Sequence, residues 1–149
     1  VNRGSVSRQE TAVLGDGITQ DLAEAATTAA GRVHDAWAAP DTNTRAALLA
    51  EVCADDVTYA NPLKNAVGPQ DLAKLISELT TTYPGYLPVR TSGVDAHHDT
   101  ALYTWALRDR GGKSVLTGIE IIRFTLEARL TSITSFFGQP PQIRYTYQA

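Results

Sequence analysis

Between Lys113 and Thr125, the residues Leu116, Gly118, Glu120, Ile122 and Phe124 recur at every second position and so share one face of a strand. Glu120 is the one carboxylate in that apolar row. A carboxylate on a buried face needs a partner, a hydrogen bond or a proton, and burial raises its pKa toward the range useful for acid–base chemistry. The same residue turned outward, or bridged to Arg90, Arg108 or Arg123, would be structural only. Tyr59 and Asn61 lie two apart and point the same way, so a phenol and an amide can hold a carbonyl, a hydroxyl or a water. A tyrosine near a strand end and an asparagine before proline also occur as plain turn chemistry.

Tyr103 and Trp105 share one face of the preceding run, and Ser135 and Phe137 one face of the last, where they either wall a cavity or fill a core. His34, one helical turn before Trp37, reaches the open end of such a cavity or sits as a surface histidine. His97 and His98, beside Asp95 and Asp99, are read as a surface turn rather than a metal site, because adjacent strand residues point apart. No Gly-rich phosphate loop, Gly-x-Ser-x-Gly elbow, His-Glu-x-x-His helix or spaced Cys/His set occurs, so no cofactor and no metal are expected.

Positioning these groups falls to helices first and strands after. From Ile18 the apolar residues Leu22, Ala25, Ala26, Ala29, Val33 and Trp37 keep helical spacing, which predicts a long first helix that Pro40 ends. Asp41 or Thr42 can cap a second helix, Asn43 to Cys53, closed by Ala54-Asp55-Asp56. Val57 to Ala60 reads as a short strand, and Gly68-Pro69 opens a third helix that buries Leu72, Leu75, Ile76 and Leu79. Strand-like runs then cover Tyr86 to Asp95, Thr100 to Asp109, Lys113 to Thr125 and Arg129 to Gly138, joined by links short enough for antiparallel hairpins. This order is an α+β signature. The expected layout is an N-terminal arm over 1–15, one domain over 16–138, and a tail or extra edge strand over 139–149.

The 149 residues are 43% hydrophobic and 19% charged, an ordinary balance for one globular core. A net charge of −3 and three lysines leave no basic stripe for nucleic acid or an anionic membrane surface. Cys53 is the single cysteine, so no internal disulfide forms, and no apolar run near the N-terminus suits a signal peptide. A cytoplasmic setting is expected.

Four segments carry a resemblance: Ala54 to Pro62 (ADDVTYANP), Val67 to Leu72 (VGPQDL), Gly118 to Phe124 (GIEIIRF) and Ala128 to Ile133 (ARLTSI). In order and spacing they resemble the nuclear transport factor 2-like superfamily, which includes ketosteroid isomerases, SnoaL-like polyketide cyclases and limonene epoxide hydrolase. The resemblance implies a cone-shaped barrel, three N-terminal helices packed on a strongly curved, mixed, mainly antiparallel sheet. Glu120 falls where ketosteroid isomerases place a protonated acid, whereas their base position holds Asn61 and their first-helix tyrosine position holds Trp37. Tyr59-x-Asn61 is similar to the water-holding pair of limonene epoxide hydrolase, whose other partners have no counterpart among Ala106, Arg108 and Ser135.

The function implied is a cofactor-independent isomerase or cyclase acting on a hydrophobic carbonyl or epoxide metabolite. Glu120, Tyr59 and Asn61 would be the catalytic residues, and His34, Trp37, Tyr103, Trp105, Ser135 and Phe137 would bind substrate. Alternatives are a non-catalytic ligand-binding or dimerisation module, and epoxide-hydrolase-like water addition. A homodimer through the outer sheet face, with Val115, Thr117, Ile119 and Ile121, is expected in either case.

Overall fold

The computed structural model describes residues 16–143, with side chains from residue 20 onward. The arm expected over 1–15 lies outside these residues, as do the last six positions of the tail.

Helix α1 (Asp16–Ala38) turns a face of small residues, Ala25, Ala26, Ala29, Ala30 and Ala36, completely into the core. Small side chains let its backbone lie close to the strands. Pro40 excludes a helical residue before it, and Asp41 then caps α2 (Thr42–Val52), its Oδ1 accepting the Thr44 N–H at 2.7 Å. Helix α3 (Pro69–Thr82) starts on Pro69, after Gly68 at φ +88°. That φ suits glycine, and it lets the Gly68 N–H bond the Val57 carbonyl at 2.7 Å.

Among the described residues seven strands follow or intervene: β1 (Cys53–Ala60), β2 (Asn65–Val67), β3 (Leu87–Arg90), β4 (Asp95–His97), β5 (Thr100–Arg108), β6 (Ser114–Phe124) and β7 (Leu130–Phe137). They form one sheet in the order β2-β1-β7-β6-β5-β3, with β4 also on β5. Among these seven, only the β1–β7 pairing is parallel. The sheet curves around the helices and does not close, so the cone is an open one.

Two local expectations change and one short strand is added. Cys53 leaves α2 with extended geometry (φ −115°, ψ 154°) and pairs with Leu130, so Ala54-Asp55-Asp56 belongs to an irregular β1 rather than to a helix end. Asn65–Val67, for which the spacing predicts no element, forms a short strand that returns antiparallel along β1. The run from Tyr86 to Asp95 divides into β3 and β4, because between them the Ser92 hydroxyl takes the Thr104 N–H at 2.8 Å in place of a backbone carbonyl.

Arg45 holds the helices at the cone's open side. Only 4% exposed, it donates to the carbonyls of Ala36 (2.8 Å) and Ala39 (2.8 Å) and to Ser77 Oγ (2.6 Å). It thus satisfies the orphan carbonyls at the α1 C-terminus, where the helix dipole favours a cation. The end of α1 that carries His34 and Trp37 is thereby fixed to α2 and α3. At the other side, the Arg32 guanidinium bonds the Ala128 carbonyl at 2.7 Å and pins the β6–β7 turn, where Ala128 takes φ +62°.

On the sheet's outer face, Leu102, Val115 and Phe136 are exposed, while Ile119 and Ile121 are half-buried.

Candidate functional site

Pairing across β5, β6 and β7 arranges the inner face in rows. Ala101, Ile122 and Ile133 form a buried lower row, packed as core. Above it Tyr103, Glu120 and Ser135 stand abreast, then Trp105, Gly118 and Phe137, then Leu107 and Leu116. Successive rows on one face lie roughly 7 Å apart. Parallel pairing of Tyr59 with Ile133 and Ala60 with Thr134 delivers Tyr59 and Asn61 to the β7 side of these rows.

A cavity opens from the second row upward. Glu120, Ser135, Tyr59 and Asn61 give it polar groups, Trp105 and Phe137 line its wall, and His34 and Trp37 contribute from α1. Leu63, Leu79, Tyr83, Pro88, Leu107 and Leu116 add apolar side chains. Counting its open mouth and the solvent in it, the space is about 610 Å³. The part open to the centre of a water molecule is about 60 Å³. One water needs about 10–15 Å³ by that measure, so the cavity admits a few waters or one compact ligand.

Glu120 is 6% exposed and has no cationic partner among the described residues. Arg123 is taken by Asp99 at 2.8 Å, and the Arg108 Nε bonds Ser114 Oγ at 3.2 Å, so neither bridges Glu120. The Tyr103 hydroxyl donates to Glu120 Oε1 at 2.5 Å. Burial pushes the Glu120 carboxyl up to about 7, against the opposing effect of the Tyr103 and Ser135 hydroxyls. A carboxyl so placed exchanges its proton near neutral pH.

Asn61 sits in a turn that divides its amide. Oδ1 accepts the N–H groups of Leu63 and Lys64, both at 2.8 Å, and Nδ2 donates to the Tyr59 oxygen at 3.3 Å. The two backbone donors fix which end is oxygen. With its oxygen already accepting from Asn61, Tyr59 is left with its own O–H proton to give. Burial and the nearby Glu120 charge push the Tyr59 phenol up to about 12, so it stays protonated and a donor.

The ring of His34 meets that of Tyr103 edge-on at 5.9 Å, and burial, with Arg90, lowers its pKa. Two buried side-chain nitrogens lack a partner among the described residues, His34 Nε2 and Trp105 Nε1.

Of the residues singled out from sequence, Tyr103 alone stands apart from the lining. It is completely buried behind Glu120, and supports the carboxyl rather than walling the cavity. The reason is its register opposite Glu120, which spends its hydroxyl there. Sequence reasoning passed over Gly118 as a functional position. A Cβ there would collide with the Trp105 indole and the Phe136 carbonyl, so the missing side chain is what lets the indole lie across β6. A glycine inside a strand was the available signal. Tyr83 and Pro88 were also missed, because Tyr83 reaches the cavity from the capping position of α3 and Pro88 through the pairing of β3 with β5.

His97 and His98 are exposed with Nδ1 atoms 3.1 Å apart, and no cluster of three metal-ligating side chains occurs among the described residues. No described helix is long and apolar enough to cross a membrane.

No protein-family model and no curated protein matches the chain. Solved structures do. A proposed isomerase of the SnoaL-like family from Agrobacterium tumefaciens is 25% identical with a TM-score of 0.72, over 78% of this chain and 99% of that one. A proposed polyketide cyclase from Sinorhizobium meliloti is 16% identical with a TM-score of 0.57, over 72% and 93%. A protein with a ketosteroid isomerase-like fold from Catenulispora acidiphila, solved in complex with trimethylamine, is 13% identical with a TM-score of 0.58, over 74% and 85%. With three helices laid into an open, curved, mixed sheet, this chain shares the cone fold of these SnoaL-like, ketosteroid isomerase-like and nuclear transport factor 2-like structures.

Proposed function

We propose that the protein is a cofactor-independent acid–base enzyme that isomerises or cyclises a small hydrophobic carbonyl metabolite. The observation that carries this reading is Glu120, a buried carboxyl without a cationic partner among the described residues, raised to about 7, in a mostly apolar cavity that also holds two donors, Tyr59 and Asn61. As carboxylate, Glu120 takes a proton from the carbon beside the carbonyl. The carbonyl oxygen gains the negative charge and accepts from Tyr59 O–H and the second Asn61 N–H. In isomerisation Glu120 returns the proton to another carbon. In cyclisation the enolate carbon attacks a second carbonyl, and Glu120 gives its proton to the new alkoxide. The names of the Agrobacterium and Sinorhizobium neighbours point to the same two reaction classes.

Water addition to an epoxide is disfavoured by the Asn61 turn, because Oδ1 is occupied and cannot orient an attacking water. Both favoured reactions begin with removal of an α-proton. Cyclohexanone in D2O is therefore expected to take up deuterium at its α-carbons faster with the protein than without, read by proton NMR. Tyr59→Phe should slow this by about 10²-fold. Binding without exchange would leave a ligand-binding module and end the enzymatic reading.

The partner proposed for the outer sheet face is a second copy of the chain, meeting across Leu102, Ile119, Ile121 and Phe136. Sedimentation should give a dimer that Phe136→Asp dissociates, and a monomeric wild type would refute it.

A further inference from the structure

The donors of the cavity outnumber the oxygens of a simple ketone. Tyr59 and Asn61 together suit one oxygen beside Glu120. Trp105 carries another donor, one row nearer the mouth and across β6 and β7 from that pair. Its indole N–H is buried and unpartnered, while its residue lines the cavity. An indole nitrogen only donates, and leaving it dry and unpaired is destabilising. No protein acceptor meets it in the described structure, and its ring is held in place by Gly118 beneath and by Phe137, edge-on at 6.0 Å. A second acceptor is thus missing from the protein side, at a place set by the sheet.

Resting on the acid–base reading above, we propose that the substrate carries two acceptor oxygens. One is the carbonyl at Glu120, and the other is a carbonyl or ether oxygen farther toward the mouth that takes the Trp105 N–H. The substrate class is a compact dioxygenated metabolite such as a diketone or keto ether, not a mono-oxygenated hydrocarbon. The apolar residues around the mouth, Leu107, Leu116 and Pro88, face the remainder of it.

The chain has two tryptophans, so its indole N–H signals in a 15N-labelled sample are assigned with Trp105→Phe and Trp37→Phe. Cyclohexanone, cyclohexane-1,4-dione and 4-acetylcyclohexanone are titrated in turn. The Asn61 side-chain amide is expected to move with all three, and the Trp105 indole proton to move downfield with one or both diketones and not with cyclohexanone. Trp105→Phe should weaken the responding diketone about fivefold more than it weakens cyclohexanone. If Asn61 responds throughout while Trp105 responds to no ketone, or equally to all, the second-oxygen inference is overturned and the acid–base reading survives. If neither Asn61 nor Trp105 responds to any ketone, the carbonyl reading of the cavity itself fails.

Discussion

Glu120→Gln is expected to bring deuterium exchange into cyclohexanone down to the uncatalysed rate, a loss of about 10²–10⁴-fold, while the protein becomes less sensitive to alkaline pH. The two effects share one cause. Burial raises the folded-state pKa from the usual 4.5 to about 7. Folding stability from this group is therefore full below about 4.5 and lost as pH rises through about 7, a difference of about 3 kcal/mol. Glutamine is the same size, accepts the Tyr103 hydroxyl through its oxygen and never ionises. Urea denaturation of both proteins at pH 5 and pH 9 should show Glu120→Gln more resistant than wild type at pH 9, relative to their difference at pH 5. His34, whose lowered pKa pulls stability the other way at acid pH, contributes equally to both and cancels. In the wild type the exchange rate should rise with pH and level off above about 7, since the carboxylate is the form that takes the proton. A flat profile, or a glutamine variant that exchanges at the wild-type rate, would remove Glu120 from the chemistry.

That Glu120 was legible at all follows from strand periodicity, since a single carboxylate among Leu116, Ile122 and Phe124 is visible without any knowledge of the neighbours. Its environment was not. That Tyr103 stands behind the carboxyl instead of beside the ligand is a matter of cross-strand register, and register depends on pairing that one strand does not encode. The Asn61 amide is a similar case: the residue type was readable, but whether it offers its oxygen or its nitrogen depends on how Leu63 and Lys64 close the turn. At the level of elements, helical spacing and proline marked α1 and α3 well. The switch from α2 directly into β1 was hidden because Val52 and Cys53 suit a helix face and a strand equally, and only the pairing of Cys53 with Leu130 decides between them. Arg45 gave no sign either, because a buried arginine is recognised by the carbonyls it meets, and those belong to the end of another helix.

Gly118→Ala is the substitution with the largest expected cost to the fold. The added Cβ meets two obstacles of different kinds. One is the Trp105 ring, which could swing only by breaking its edge-on contact with Phe137. The other is the Phe136 carbonyl oxygen, which belongs to the strand paired with β6 and cannot retreat without disturbing that ladder. Overpacking of a flexible neighbour costs about 1–3 kcal/mol, and a backbone obstacle adds to it, so at least about 3 kcal/mol is expected. For a chain of this size that lowers Tm by roughly 10 °C. A double-mutant cycle separates the two obstacles. In a Trp105→Ala background the indole is gone, and Gly118→Ala should cost less than in the wild type yet still a measurable amount, because the carbonyl remains. A neutral Gly118→Ala in the wild type would mean that the indole does not lie across β6. A cost that vanishes entirely without Trp105 would mean the ladder yields freely and the ring is the sole obstacle. In the expected outcome, the wall of the cavity depends on a position with no side chain, because any atom there displaces the indole whose N–H is assigned to the second substrate oxygen.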